Sequence, residues 1–218
     1  MKAINKLKRI SIFITIVIVI LLAVYIIMDV EKFSLNDEKR SGLPGQFVEL
    51  SNGRVYYQFS DAEDTSVVVL VHGFSVPYYV WDQTYSALVD AGFRVLRYDL
   101  YGRGFSDRPE IHYDLALYIT QLEQLLIALD ITDPVSLVGL SYGGPIIAGF
   151  ANQHPEMVRS VTLVSPQVST VTTKEIFPLN IPFIGEYLMA VYVEPITLPN
   201  SQEHDFYIPW IQVSSATE

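Results

Sequence analysis

Residues 135–144 constrain the fold more than any other stretch. Val135-Ser136-Leu137-Val138 has the length and apolar content of a buried strand, and Gly139-Leu140-Ser141-Tyr142-Gly143-Gly144 follows it directly. A helical pattern then runs from Tyr142 to about Gln153. A strand that passes into a helix through Gly-x-Ser-x-Gly must turn sharply at the serine, which leaves the Ser141 hydroxyl at the strand's C-terminal edge. Gly139 and Gly143 make that turn possible, because side chains two residues either side of Ser141 would collide with the neighbouring strand or helix. The amide of Tyr142, in the first turn of the helix, is then placed to hold negative charge developing on a group bonded to Ser141.

The rest of the central sequence supplies a sheet for this turn. Phe47–Leu50 and Val55–Phe59 flank Ser51-Asn52-Gly53-Arg54, and Asn-Gly between apolar runs predicts a hairpin. Strands are expected at 67–71, 94–98, 135–138 and 160–164, with helices over 80–91, 115–129 and 142–153 between them. In the second helix Leu115, Ile119, Leu122, Leu126 and Leu129 keep a helical period. Strands apolar throughout, alternating with helices, predict an α/β fold with a mostly parallel sheet and helices on both faces. Chemistry in such sheets gathers at the carboxyl ends of the strands.

Three strand ends carry unusual sequence. His72-Gly73-Phe74 follows Val71, and Gly73 lets the backbone curl so that the Phe74 amide faces Ser141 as a second anion donor. A Gly-rich turn, Asp99 to Pro109, follows Tyr98, and the Ser141 turn follows the third strand. Together the three motifs resemble the α/β-hydrolase superfamily, in its monoacylglycerol-lipase-like branch of carboxylester hydrolases, over about 47–167. The resemblance implies that Ser141 is the nucleophile, that the Phe74 and Tyr142 amides form an oxyanion hole, and that an ester substrate acylates Ser141 before hydrolysis. It implies no cofactor and no metal. His72 is expected to brace the oxyanion loop, and Asp99 and Asp107 to pin the Gly-rich turn through Arg103 or Arg108.

The family's order is Ser, then Asp or Glu, then His, and here the pattern departs. Only His154 and His204 follow Ser141, the first at the end of the 142–153 helix and the second in a Pro- and aromatic-rich stretch. His112 falls in a surface turn. Ser165-Pro166-Gln167 ends the 160–164 strand without a carboxylate. From Gln167 onward, Pro178, Pro182, Pro195, Pro199 and Pro209 and the aromatics Phe177, Phe183, Tyr187, Tyr192, Phe206 and Tyr207 read as the start of a lid, and the last residues lose pattern. The expectation is a truncated or frameshifted family member, impaired as a hydrolase. A non-catalytic pseudo-hydrolase that binds through the same pocket, or a fragment without function, stands as the alternative.

Ahead of the core, Ile10 to Met28 carries no charge and is broken only by Ser11 and Thr15, long enough at helical rise to cross a bilayer core of about 30 Å. Lys2, Lys6, Lys8 and Arg9 precede it; Asp29, Glu31, Asp37 and Glu38 follow. A single-pass anchor over 1–30 is expected, held in the bilayer by residues 10–28. The basic N-terminus is expected on the cytoplasmic side and the domain beyond on the far side. Residues 31–46 read as a linker, 47–166 as the core and 167–218 as the beginning of a lid. A net charge of −10 argues against nucleic acid, and the absence of cysteine excludes disulfides and thiolate chemistry.

Overall fold

The computed structural model describes residues 2–28, 40–61, 66–168, 178, 181, 184–188 and 191. The chain divides into two compact units, Leu35–Thr170 and Met1–Ser34 with Val171–Glu218.

In the first unit, strands β1 (Gln46–Leu50), β2 (Gly53–Phe59), β3 (Val67–Val71), β4 (Arg94–Tyr98), β5 (Val135–Leu140) and β6 (Val158–Val164) form one sheet in the order β1-β2-β4-β3-β5-β6. The expected hairpin is present: β1 pairs antiparallel with β2, closing at Leu50 and Gly53. β2 is antiparallel to β4, and β4, β3, β5 and β6 run parallel. Successive β-strand side chains face opposite ways, and β3 shows what that does here. Val67, Val69 and Val71 enter one core with helices α3 (Leu115–Ala128) and α4 (Gly143–Gln153), while Val68 and Leu70 enter another with α2 (Asp82–Asp90). An apolar run without alternation is thus what a strand covered on both faces requires.

The inward stripe of α3 differs from the expected one. Leu117, Ile119, Leu122, Leu125 and Leu126 are buried with Gln121, whereas Leu115 is exposed. Leu115 opens the helix beside its N-cap, where the Asp114 carboxylate accepts the Leu117 amide at 2.9 Å. Leu122, Leu125, Leu137, Ile146, Ile147 and Phe150 are fully buried between sheet and helices, each worth about 1.5–3 kcal/mol of hydrophobic stabilisation. Arg40, in the stretch read as a linker, is also buried, stacked over Phe47 and paired with Asp107 at 2.5 Å.

The second unit contains α1 (Lys2–Met28) and the short α5 (Ile184–Leu188), with Tyr25 stacked on Tyr187 at 6.2 Å between ring centroids. Within α1, Asn5–Ile27 is long and apolar enough to cross a membrane, its most apolar 18 residues having a mean hydropathy of 3.2. Phe177, Phe183, Tyr192, Phe206 and Tyr207, expected in a lid, and also His204, lie outside the described residues.

Candidate active site

β3, β4 and β5 are parallel neighbours, so the three motifs meet at one edge of the sheet. At the end of β5 the backbone of Ser141 has φ +50°, a left-handed conformation that non-glycine residues adopt only where the surroundings impose it. The surroundings do so on both sides. The Ser141 amide donates to the Val164 carbonyl, and the Ser141 carbonyl accepts the Gly144 and Gln167 amides, each at 3.0 Å. A Cβ on Gly139 would stand 2.5 Å from the Gly143 carbonyl oxygen, and one on Gly143 would strike the Val71 carbonyl. Both glycines are therefore required by backbone that passes too close for any side chain.

Gly73 lies against the serine. A Cβ there would be 3.0 Å from Ser141 Cβ and 3.5 Å from its Oγ. The loop that holds it in place is fixed by His72, which is fully buried. His72 Nε2 accepts the Leu100 amide at 3.0 Å, so the ring proton sits on Nδ1, which donates to the Gly73 carbonyl at 2.7 Å. Burial pushes this imidazole down to about 4, below the ordinary 6.5, despite the Gly73 carbonyl, and the ring is neutral at physiological pH. Phe74 exposes its side chain, and Arg103 reaches it: Nε donates to the Phe74 carbonyl at 2.5 Å and the guanidinium stacks on the ring at 4.2 Å. Among the described residues, neither the Phe74 nor the Tyr142 amide has an intramolecular acceptor.

The Gly-rich turn is pinned from inside by backbone amides, with Arg108 adding charge beside Asp99. Asp99 is fully buried and accepts the Tyr78 amide at 2.8 Å and the Phe105 amide at 2.9 Å. A side chain on Gly104 would occupy the place of that carboxylate. Burial pushes Asp99 up to about 7, with the two amides and the nearby arginines opposing the rise. Its Oδ1 is 3.8 Å from His72 Nε2, too far for a hydrogen bond. The Asp99 carbonyl accepts Ser106 Oγ at 2.7 Å and Gln121 Nε2 at 3.0 Å. Asp107 accepts the Arg54 amide at 2.8 Å and pairs with Arg40. Against burial, which raises it, the Arg54 amide and the Arg40 guanidinium hold the Asp107 carboxyl below its ordinary value.

The other described histidines make their contacts with carboxylates elsewhere. His112 is exposed beside Asp114. His154 caps the far end of α4 between Glu123 and Glu156, about 16 Å along the helix from its first turn. Among the described residues no group of three or more His, Cys, Asp or Glu side chains could hold a metal ion. Gln121, Ser106 and Arg40 are supporting residues that sequence reasoning did not single out. Only Gln121 left a trace, as a polar residue between Leu117 and Leu125 on one helix face.

The family model described as alpha/beta hydrolase fold matches residues 66–188. This chain is an α/β hydrolase. An uncharacterized protein of Mycobacterium tuberculosis is 33% identical over 144 residues, 66% of this chain and 42% of its own length. The AB hydrolase superfamily protein YfhM of Bacillus subtilis is 28% identical over 166 residues, 74% of this chain and 56% of that protein. Among solved structures, a hydrolase of Pseudomonas aeruginosa superposes with a TM-score of 0.57 at 26% identity, covering 62% of this α/β hydrolase and 51% of that chain. A structure from a study of carboxylesterases of the thaumarchaeon Nitrososphaera gargenis gives 0.53 at 25% identity, covering 61% and 49%. The chain spans about half the length of the curated relatives it matches.

Proposed function

We propose that this α/β hydrolase is built to cleave carboxylic esters through an acyl-Ser141 intermediate. The observation that carries the reading is the strained Ser141 at the end of β5, with Gly73 beside its Oγ. Ser141 Oγ attacks the ester carbonyl, its proton passes to a base, and the carbonyl oxygen takes the negative charge. The Phe74 and Tyr142 amides stabilise that oxyanion, which later re-forms the carbonyl as the alcohol leaves. Water then releases the acid from Ser141 by the same sequence. The serine at position 141 and the likeness to a structure from a carboxylesterase study support an ester substrate. A long apolar helix ahead of the core favours lipid-derived esters such as monoacylglycerols, with residues 10–28 in the bilayer and the hydrolase domain extracytoplasmic.

A second reading rests on the histidines. Among the described residues, His72 has both ring nitrogens engaged, His112 is exposed beside Asp114, and His154 stands between Glu123 and Glu156 at the far end of α4. A chain with this arrangement and no further base would hold an ester or acid at the oxyanion amides without turning it over. The two readings separate on a fluorophosphonate probe. The hydrolase reading expects rapid labelling of the wild type and none of Ser141→Ala. Equal labelling of both removes Ser141 as nucleophile, and an unlabelled wild type that still binds a carboxylic acid supports the binding reading.

A further inference from the structure

Phe74 is joined to its neighbours by two peptide units, and each is held by its carbonyl. The first links Gly73 and Phe74. A trans peptide is planar, with C=O and N–H pointing in opposite directions, so the His72 Nδ1 bond to the Gly73 carbonyl also aims the Phe74 N–H. The second links Phe74 and Ser75, and its carbonyl is taken by Arg103 Nε at 2.5 Å. With both planes fixed, the φ and ψ of Phe74 are fixed too.

Arg103 is suited to this by the way it is itself held. Its own amide donates to the Leu100 carbonyl at 2.9 Å, its carbonyl accepts the Ser106 amide at 3.2 Å, and its Nη1 donates to the Gly102 carbonyl at 2.9 Å. The planar fork thus spans two loops, one bond to the Gly-rich turn and one to the loop after β3, and its face lies on the Phe74 ring. Leu100, which receives the Arg103 amide, also donates its own amide to His72 Nε2. Both braces of Phe74 therefore start from the same turn.

We infer that Arg103 is a positioning residue for the oxyanion hole, acting through the Phe74 carbonyl to keep the Phe74 amide directed at Ser141. This rests on the serine-hydrolase reading for its catalytic consequence, while the effect on the loop does not. A donor displaced by about 1 Å loses up to about 100-fold in rate. Binding of a ligand that does not carry the oxyanion is left almost unchanged.

The test uses the full chain in detergent and resolves fluorophosphonate labelling into its binding constant and its maximal rate. Labelling forms the Ser141 Oγ–P bond as fluoride leaves with the serine proton. Arg103→Met is expected to lower the maximal rate about 10- to 100-fold with the binding constant and thermal midpoint nearly unchanged, and Arg103→Lys to fall between. An unchanged maximal rate overturns the inference, as does a fall matched by faster hydrogen exchange throughout β3. If the wild type fails to label, the ester-hydrolase reading fails separately, and backbone NMR order parameters at Phe74 and Ser75 decide. Lower order parameters there in Arg103→Met, with Val67–Val71 unaffected, uphold the inference, and equal ones overturn it. Should Arg103→Met not fold, Arg103→Lys carries the same readouts.

Discussion

The amide of Gln167 donates to the carbonyl of Ser141 at 3.0 Å, so the loop leaving β6 clamps the strained serine from the neighbouring strand. With the Val164 carbonyl on its amide as well, Ser141 is held at φ +50° whatever its side chain. Relief of that strain is measurable. Ser141→Gly removes the Cβ that makes the conformation costly and should raise stability by about 0.5–1 kcal/mol after the entropy cost of glycine. In thermal melts that is a rise of about 1–4 °C. Ser141→Ala keeps the Cβ and should melt with the wild type; a gain as large as that of Ser141→Gly would contradict the strain.

The glycines around the serine should respond in a graded way. Gly139→Ala and Gly143→Ala drive a Cβ into backbone that cannot move away, and each should cost about 3 kcal/mol or more in urea unfolding. Gly73→Ala meets the Ser141 Cβ and the Leu140 carbonyl at 3.0 and 3.3 Å, which a small loop shift relieves. It should cost under about 1 kcal/mol yet slow Ser141 labelling at least about tenfold. Equal destabilisation of all three variants would rule out the ordering.

His72 and Asp99 set opposite pH slopes. The folded imidazole titrates at about 4 against an ordinary 6.5, so its share of stability is complete above 6.5 and is lost as pH falls to about 4. Folded Asp99 titrates at about 7 against 3.8, so its share is complete below 3.8 and is lost as pH rises to about 7. Between about 4 and 6.5 the two nearly cancel. Asp99→Asn should uncover the histidine, giving stability that falls by up to about 1.4 kcal/mol per unit of acidification in that window. It should also carry a constant loss of about 1–3 kcal/mol, because the new amide group faces the Tyr78 or Phe105 N–H. Urea titrations at several pH values read both, and a flat profile in Asp99→Asn would refute the assignment.

Because the chain has no cysteine, its orientation can be read with single introduced thiols. Glu110→Cys, at an exposed site in the core unit, should react with a membrane-impermeant maleimide in intact cells. Lys6→Cys should react only after lysis. The reverse pattern would invert the proposed topology.

The core of the fold was legible because its signals are local. Asn52-Gly53 specifies a hairpin in four residues, and Val67–Val71 can only be a strand covered twice. Ser141 was legible for the same reason, since the glycines that permit its turn are its neighbours in sequence. What escaped depends on contacts between loops. Arg103 and Phe74 are 29 positions apart, and nothing in either segment says that one guanidinium will reach the other's carbonyl. Asp107 was expected to serve the turn's own arginines, yet its partner is Arg40, from a stretch whose polarity looked like that of a solvated linker. The helical period of α3 was legible, but a period of 3.6 fits several overlapping stripes and does not say that Leu125 is buried and Leu115 exposed.

Arg40 also determines how the fold would bear a load. It lies between α1 and β1, and Asp107 grips it before the chain reaches the sheet. A pull on the chain ahead of Arg40 would be taken up first by an ion pair that can open and re-form. Beyond it comes an antiparallel edge strand, β1, ahead of any strand that carries His72, Asp99 or Ser141. The clasp at Asp107 works as a strain relief, like the collar on a cable, between the residues ahead of Arg40 and the sheet edge that carries Ser141.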